Sequence, residues 1–344
     1  MESKSRGFEV WQDFVLARGE PTNPAILATP IQFQQGSVNP DKLGIETVAD
    51  YFCHHFPHWM LDSIDQGEIK FIQPNNPSFY IDPMLMKNIE GEQLRDICAN
   101  VIRGEKYAIS FEDSFFLDCY FEQCDSDEDL LIIHIDHHTD RGWMYGDLDL
   151  NRQNLKSSST GENLIFHDSF ECVNQLREKG ILHQGNFLSF MSASKRKVHV
   201  IFATDQIQDM SEIHSVSPNV VEDEYSRKIT FFELSEKRQE SSYLWQEGPV
   251  NCLAHMIDMA FLESKFDKVM VHIDLDEYDN PWDGNSANET NIEGSTSHVL
   301  KKLASDIDLI SKTEPVFWHY CMPTGFFPAK HWKKVIEFLE DYHD

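Results

Sequence analysis

From about residue 107 onward, short runs of apolar β-formers alternate along the chain with stretches of helical periodicity. The runs Tyr107-Ala108-Ile109-Ser110-Phe111, Leu130-Leu131-Ile132-Ile133-His134-Ile135, Val198-His199-Val200-Ile201-Phe202, Ile229-Thr230-Phe231-Phe232-Glu233-Leu234, Val269-Met270-Val271-His272-Ile273 and Pro315 to Tyr320 predict strands. Helices are expected over 168–179, 185–194, 250–264, 297–311 and 329–341. Near-continuous aliphatic runs are what a strand buried on both faces requires, and strands spaced by helices pair in parallel through crossovers. The expectation is an α/β fold: a three-layer α/β/α arrangement with a mostly parallel central sheet and a single large domain. Its core would span 106–344, with 1–105 as an N-terminal loop and helix segment packed on it.

The first hundred residues scatter Pro, Asn and Gly, so they read as loops with two helices, near 46–55 and 91–103. Residues 141–165, rich in Gly, Ser and Asn, read as a long active-site loop.

Two of the apolar runs end in acids. Asp136-His137-His138-Thr139-Asp140 follows one, and Asp274-Leu275-Asp276 follows another. In an extended chain successive side chains alternate faces, so Asp136, His138 and Asp140 can project to one side, as can Asp274 and Asp276. In open α/β sheets ligands collect at the carboxyl ends of the strands, where both clusters fall. A single His-x-Asp at a strand end is ordinarily a cap; two clusters of this density predict a binuclear metal site. Oxygen ligands with an imidazole suit Mn²⁺ better than a thiolate-rich zinc site would, and two Mn²⁺ ions per chain are expected. Asp136 and Asp274 are assigned as bridging carboxylates, Asp140 to one ion, and His138 and Asp276 to the other. Such a pair of ions generates a hydroxide near neutral pH, which points to hydrolysis.

Charge narrows the partners. With 58 acidic against 29 basic residues and a net charge of -29, the chain lacks the clustered cations that a nucleic-acid surface needs. No stretch approaches the length of a membrane span, and Met1 to Gly7 leads into mixed polar sequence without a signal-like apolar core. The seven cysteines, at 53, 98, 119, 124, 172, 252 and 321, form no CxxC pair, as expected of reduced thiols in a cytoplasmic protein.

Asp136-His137-His138-Thr139-Asp140 resembles the DxHxD signature of the ureohydrolase superfamily of arginases and agmatinases, and Asp274-Leu275-Asp276-Glu277-Tyr278-Asp279 its DxDxxD signature. The stretch Leu182-His183-Gln184-Gly185-Asn186-Phe187-Leu188-Ser189-Phe190 is similar to the arginase segment whose histidine shuttles a proton to the departing amine. The resemblance implies the arginase-deacetylase fold, a binuclear manganese centre and hydrolysis of a guanidinium group to urea. It makes His183 the catalytic acid/base and Asn186 a substrate contact.

The chain departs from arginases at two places. Where they carry Gly-Gly-Asp-His-Ser, this sequence has Phe111-Glu112-Asp113-Ser114. Asp113 stands at the ligand histidine's distance from the first aspartate, so it is expected as the upstream ligand, with Glu112 the alternative. The glutamate that grips the guanidinium at the last arginase strand is replaced by Phe317-Trp318-His319-Tyr320-Cys321. Glu112 and Asp279, with Asp283 further off, are expected to hold the guanidinium, since carboxylates pair with it bidentately.

Together with Thr324-Gly325-Phe326-Phe327-Pro328, these features resemble the peptide arginases, which convert arginine to ornithine within a precursor peptide. An arginine-containing precursor peptide is therefore the expected partner. The alternatives are a ureohydrolase acting on a small guanidino compound, a deacetylase-like zinc amidohydrolase of the same fold, and a non-catalytic binding protein. His54 and His58 are four apart, but Pro57 breaks the helical spacing a metal pair would need.

Overall fold

The computed structural model describes residues 60–65, 68–72, 79–80, 101–142, 144, 146–149, 153–157, 163–167, 169–178, 181–182, 184–193, 196–222, 228–235, 242–280, 295–324 and 326–343. In chain order its strands are β1 (Met60–Asp65), β2 (Glu68–Ile72), β3 (Phe79–Tyr80), β4 (Val101–Arg103), β5 (Tyr107–Ser110), β6 (Leu130–Ile135), β7 (Gly146–Asp149), β8 (Asn154–Ser157), β9 (Asn163–Ile165), β10 (Val198–Ala203), β11 (His214–Glu222), β12 (Lys228–Ser235), β13 (Tyr243–Gly248), β14 (Lys268–Asp274) and β15 (Phe317–Cys321). The helices are α1 (Phe116–Gln123), α2 (Phe170–Glu178), α3 (Phe187–Ala193), α4 (Leu253–Glu263), α5 (Thr296–Ile310) and α6 (Ala329–His343). The chain is α/β, with a large, mostly parallel mixed sheet.

Two compact units interleave along the sequence. The first takes the described parts of Met1–Glu112 with Tyr278–Ser305 and Cys321–Asp344; the second takes Asp113–Glu277 with Asp306–Tyr320.

In the second unit the strands run in the order β12-β11-β13-β10-β6-β14-β15. Parallel pairing joins β13 to β10, β10 to β6 and β6 to β14. All residues of β6 and β10 are buried, so the absence of polar alternation in their sequences has a direct physical cause. β11 and β12 form an antiparallel hairpin at the edge, where Val220 and Val221 are exposed. Segment 229–234 is thus a strand as expected, but it pairs antiparallel. β13, which the apolar runs did not reveal, lies inside the parallel core: Gln246 and Glu247 interrupt its apolar character.

Residues 141–165 were expected as a long loop and are in part strand. They contain an antiparallel three-stranded sheet, β7-β8-β9, with Gly146 opposite Ser157 and Asn154 opposite Ile165. Gly, Ser and Asn are poor strand formers, and cross-strand pairing overrides that preference here. In the first unit β1-β2-β3 is antiparallel, as are β4 and β5. Val101–Arg103 is therefore a strand and not the end of a helix. The expected helix near 46–55 and the rest of 91–103 lie outside the described residues, as do His54 and His58. The described cysteines, Cys119, Cys124, Cys172, Cys252 and Cys321, are free thiols. Among the described residues no helix is long and apolar enough to cross a membrane.

Candidate metal centre

β6 and β14 lie side by side in register, His134 opposite His272 and Ile135 opposite Ile273, so the chain leaves the two strands at neighbouring points with Asp136 and Asp274. Asp136 N–H still donates to the Ala203 carbonyl at 3.2 Å, after which the backbone turns. The same local turn forms at both strand ends. The carboxylate of Asp136 accepts the N–H of His138 at 2.6 Å, and that of Asp274 accepts the N–H of Asp276 at 3.0 Å. Aspartate at a turn's first position satisfies the backbone two residues on, and here that same bond fixes the carboxylate's rotamer.

The convergence that alternation predicts is present. Ligand atoms of Asp113, Asp136 and Asp140 lie within 4.8 Å of one another, as do those of Asp136, His138 and Asp276. Asp136 belongs to both groups. His138 Nδ1 is 3.0 Å from Asp276 Oδ2 and 3.7 Å from Asp136 Oδ1. Asp113, Asp136, Asp140, Asp274 and Asp276 are all buried, while His138 is partly open to solvent.

Burial and mutual repulsion govern the charges. Burial first, then Asp276, pushes Asp136 up to about 7, with His138 pulling the other way. Asp140 is held well above the usual carboxylate range by burial and by Asp136 and Asp113; Asp274 is held there by burial and by Asp113, Asp276 and Asp136. Only His138 and the Asp276 N–H are prominent in opposing these shifts. A buried cluster of mutually repelling carboxylates is the environment that a bound divalent ion would neutralise.

The surrounding chain holds the cluster in place. Asp113 opens a short 3-10 turn, Asp113–Phe115, which Arg177 of α2 clamps. Arg177 donates to the Ser114 carbonyl and Ser114 Oγ at 3.0 Å each and to Asp118 Oδ1 at 2.8 Å. Asp140 takes a left-handed backbone, φ 47°, which a short polar side chain tolerates better than a bulky one. Its carbonyl accepts from Leu188 N–H, and Gly142 N–H donates to the Gly185 carbonyl. A Cβ at Gly142 would sit 2.3 Å from that carbonyl oxygen, so glycine is required by close approach. Glu277, also buried, accepts from Thr204 Oγ1 and Asp205 N–H, each at 2.8 Å, tying the turn after β14 to the end of β10.

A second tier of residues escaped the sequence reading. His134 and His272 are fully buried beneath the carboxylates, their Nδ1 atoms 3.0 Å apart. His134 Nε2 lies 3.3 Å from Asp136 Oδ2, and His272 Nε2 lies 3.1 Å from Asp113 Oδ1. Burial pushes His272 down to about 3; burial and then His272 hold His134 well below the usual imidazole range. The signal was visible: each acidic cluster is preceded by the same tripeptide, His134-Ile135-Asp136 and His272-Ile273-Asp274.

Other expected site residues have different settings. His183 and Asp283 lie outside the described residues. Asn186 is buried and donates its side-chain amide to the Ile181 carbonyl at 2.8 Å, an arrangement that holds its own loop. Glu112 and Asp279 belong to the first unit. Glu112 is buried there, and Ser110 Oγ donates to its carbonyl. Asp279 accepts from His331 Nε2 at 2.8 Å, and the other ring nitrogen of His331 is 2.8 Å from Thr296 Oγ1.

Comparison with protein-family models, with curated proteins and with solved structures yields no significant match.

Proposed function

We propose that this chain is a binuclear metal-dependent hydrolase that cleaves the guanidinium group of arginine within a peptide, giving ornithine and urea. The observation that carries the reading is the membership of Asp136 in two ligand groups, Asp113/Asp136/Asp140 on one side and Asp136/His138/Asp276 on the other. A carboxylate so placed can bridge two cations, and the oxygen-rich donor set fits Mn²⁺. Asp274 stands close enough to Asp113, Asp136 and Asp276 to raise its own pKa through them, which supports its assignment as the second bridge. The finer fold reading, a three-layer arginase-deacetylase architecture, is part of the same proposal and is supported by the parallel β13-β10-β6-β14 core.

When bound, two divalent ions supply an ionised water at neutral pH and Lewis-acid polarisation of the substrate. Water adds to the guanidinium carbon, the bond from that carbon to the δ-nitrogen breaks, and the δ-nitrogen takes a proton to leave as the ornithine amine. His183 is the residue assigned to deliver that proton, a role ordinarily contributing about 10²–10⁴-fold in rate.

The test is incubation of the Mn²⁺-loaded protein with arginine-bearing peptides and with free arginine. The expected result is urea release and a mass loss of one CH₂N₂ unit per converted arginine in the peptide, both abolished by Asp274→Ala. Turnover of free arginine alone would turn the reading to a small-molecule ureohydrolase. A single tightly held Zn²⁺ per chain would favour the amidohydrolase alternative, for which Asp140 and Asp276 are superfluous.

A further inference from the structure

We infer that His134 and His272 form a positioning dyad that sets two carboxylates of the cluster, Asp113 and the shared Asp136, and thereby the affinity of both metal sites. The inference rests on the binuclear reading above and deepens it. A continuous chain of contacts runs Asp136, His134, His272, Asp113, with steps of 3.3, 3.0 and 3.1 Å. It joins two carboxylates that reach the centre from unrelated parts of the sequence, one at the end of β6 and one on the turn before α1. A carboxylate that must bridge or terminate a cation needs its rotamer fixed beforehand, and outer partners of ligands ordinarily do this.

The histidines are built to hold still. Both rings are wholly buried, and neither His134 Nε2 nor His272 Nε2 has a hydrogen-bond partner among the described residues; each faces a carboxylate oxygen at contact distance instead. Aromatic rings enclose them: Phe187 packs against both, at 5.9 and 4.9 Å between centroids, Phe116 lies edge-on to His272 at 5.3 Å, and Phe202 lies 5.4 Å from His134. His319 stacks on the far face of this group, 5.0 Å from His272 and inclined by 20°. A leucine would fill the same space in the middle of a parallel strand with a more favourable transfer from water. Two imidazoles side by side in register therefore carry a cost in burial that packing alone does not explain.

The experiment compares Mn²⁺ binding by calorimetry in the wild type and in His134→Gln, His134→Asn, His272→Gln and His272→Asn, alongside metal-free melting temperatures. A glutamine amide nitrogen falls near the position of Nε2, an asparagine nitrogen near Nδ1. The asparagine variants should bind Mn²⁺ about 10–100-fold more weakly, and the glutamine variants should recover most of that loss. Equal weakening in Asn and Gln variants, tracking melting temperature, would show filler residues and overturn the dyad. So would unchanged affinity in the asparagine variants. Wild-type protein that binds no Mn²⁺ would instead remove the binuclear reading itself, and the dyad with it. Should the variants fail to fold, histidine-selective ¹⁵N spectra of the wild type with and without Zn²⁺ decide the matter. Both buried histidines should shift on metal addition; two unmoved resonances would overturn the inference.

Discussion

His138 Nδ1 lies 3.0 Å from Asp276 Oδ2, although the two side chains follow different strands and are far apart in sequence. That contact exists because β6 and β14 are adjacent and in register, so equivalent turns at their ends face each other. Asp136 sits at the hub of the arrangement, within reach of this pair and of Asp113 and Asp140.

The hub position predicts unequal effects of single substitutions. Asp136→Ala should abolish binding of both ions, while Asp140→Ala should leave the Asp136, His138 and Asp276 group intact and retain one. Metal analysis of the purified variants, dialysed against limiting Mn²⁺, reads the stoichiometry directly. Equal stoichiometry in the two variants would show that Asp136 is not shared.

Crowded carboxylates make the metal-free protein sensitive to pH in a defined direction. Asp136, raised to about 7, and Asp140 and Asp274, also raised, keep their protons in the folded state where the unfolded chain has lost them. Stability therefore falls as pH rises through that range. His134 and His272, both lowered, act in the opposite sense, because the unfolded chain protonates below the ordinary 6.5 while the folded one does not. The two influences oppose each other below pH 6.5. Above 6.5 the histidine influence fades and that of the carboxylates prevails. The melting temperature of the metal-free protein should drop as pH is raised above that value, and saturating Mn²⁺ should abolish the drop. A flat profile without metal would contradict the burial and repulsion assigned to these groups.

Arg177 should matter more than its distance from the cluster implies. It makes three charge-assisted hydrogen bonds to the turn that carries Asp113 and to Asp118, and it stacks on Phe115 at 4.3 Å. Arg177→Ala leaves the Asp118 carboxylate, which is largely buried, without its cation, and a loss of about 3–5 kcal/mol is expected by denaturant unfolding. Arg177→Lys should recover little, because one ammonium cannot reproduce the planar fork.

Gly142→Ala introduces a methyl group 2.3 Å from the Gly185 carbonyl oxygen. Backbone must move to admit it, at roughly 1–3 kcal/mol. The displaced segment adjoins Asp140, so Mn²⁺ affinity should fall together with the melting temperature. Thermal melts and calorimetry on the one variant test both effects.

The candidate metal ligands were legible because chemistry and periodicity coincide in them: an aliphatic run states a buried strand, and acids at its end have no apolar reason to be there. Asp113 was legible only by likeness to a spaced motif. The tripeptide His-Ile-Asp occurs twice in plain view, yet a histidine inside an apolar run reads as core until its neighbour strand is known. β13 and the β7-β8-β9 sheet were illegible for a different reason, since Gln246, Glu247, Gly146, Asn154 and Asn163 carry weak strand preference and owe their conformation to pairing partners.

What the sequence by itself determined was the identity of the strands buried on both faces and the placement of Asp136 and Asp274 at their ends, because burial and side-chain alternation are local consequences of composition. Tertiary structure alone decided that β6 and β14 are neighbours in register, that His134 therefore meets His272, and that Asp113 is drawn to the same place by Arg177. Register between distant strands is set by what their side chains bury together, and no window of sequence contains both partners.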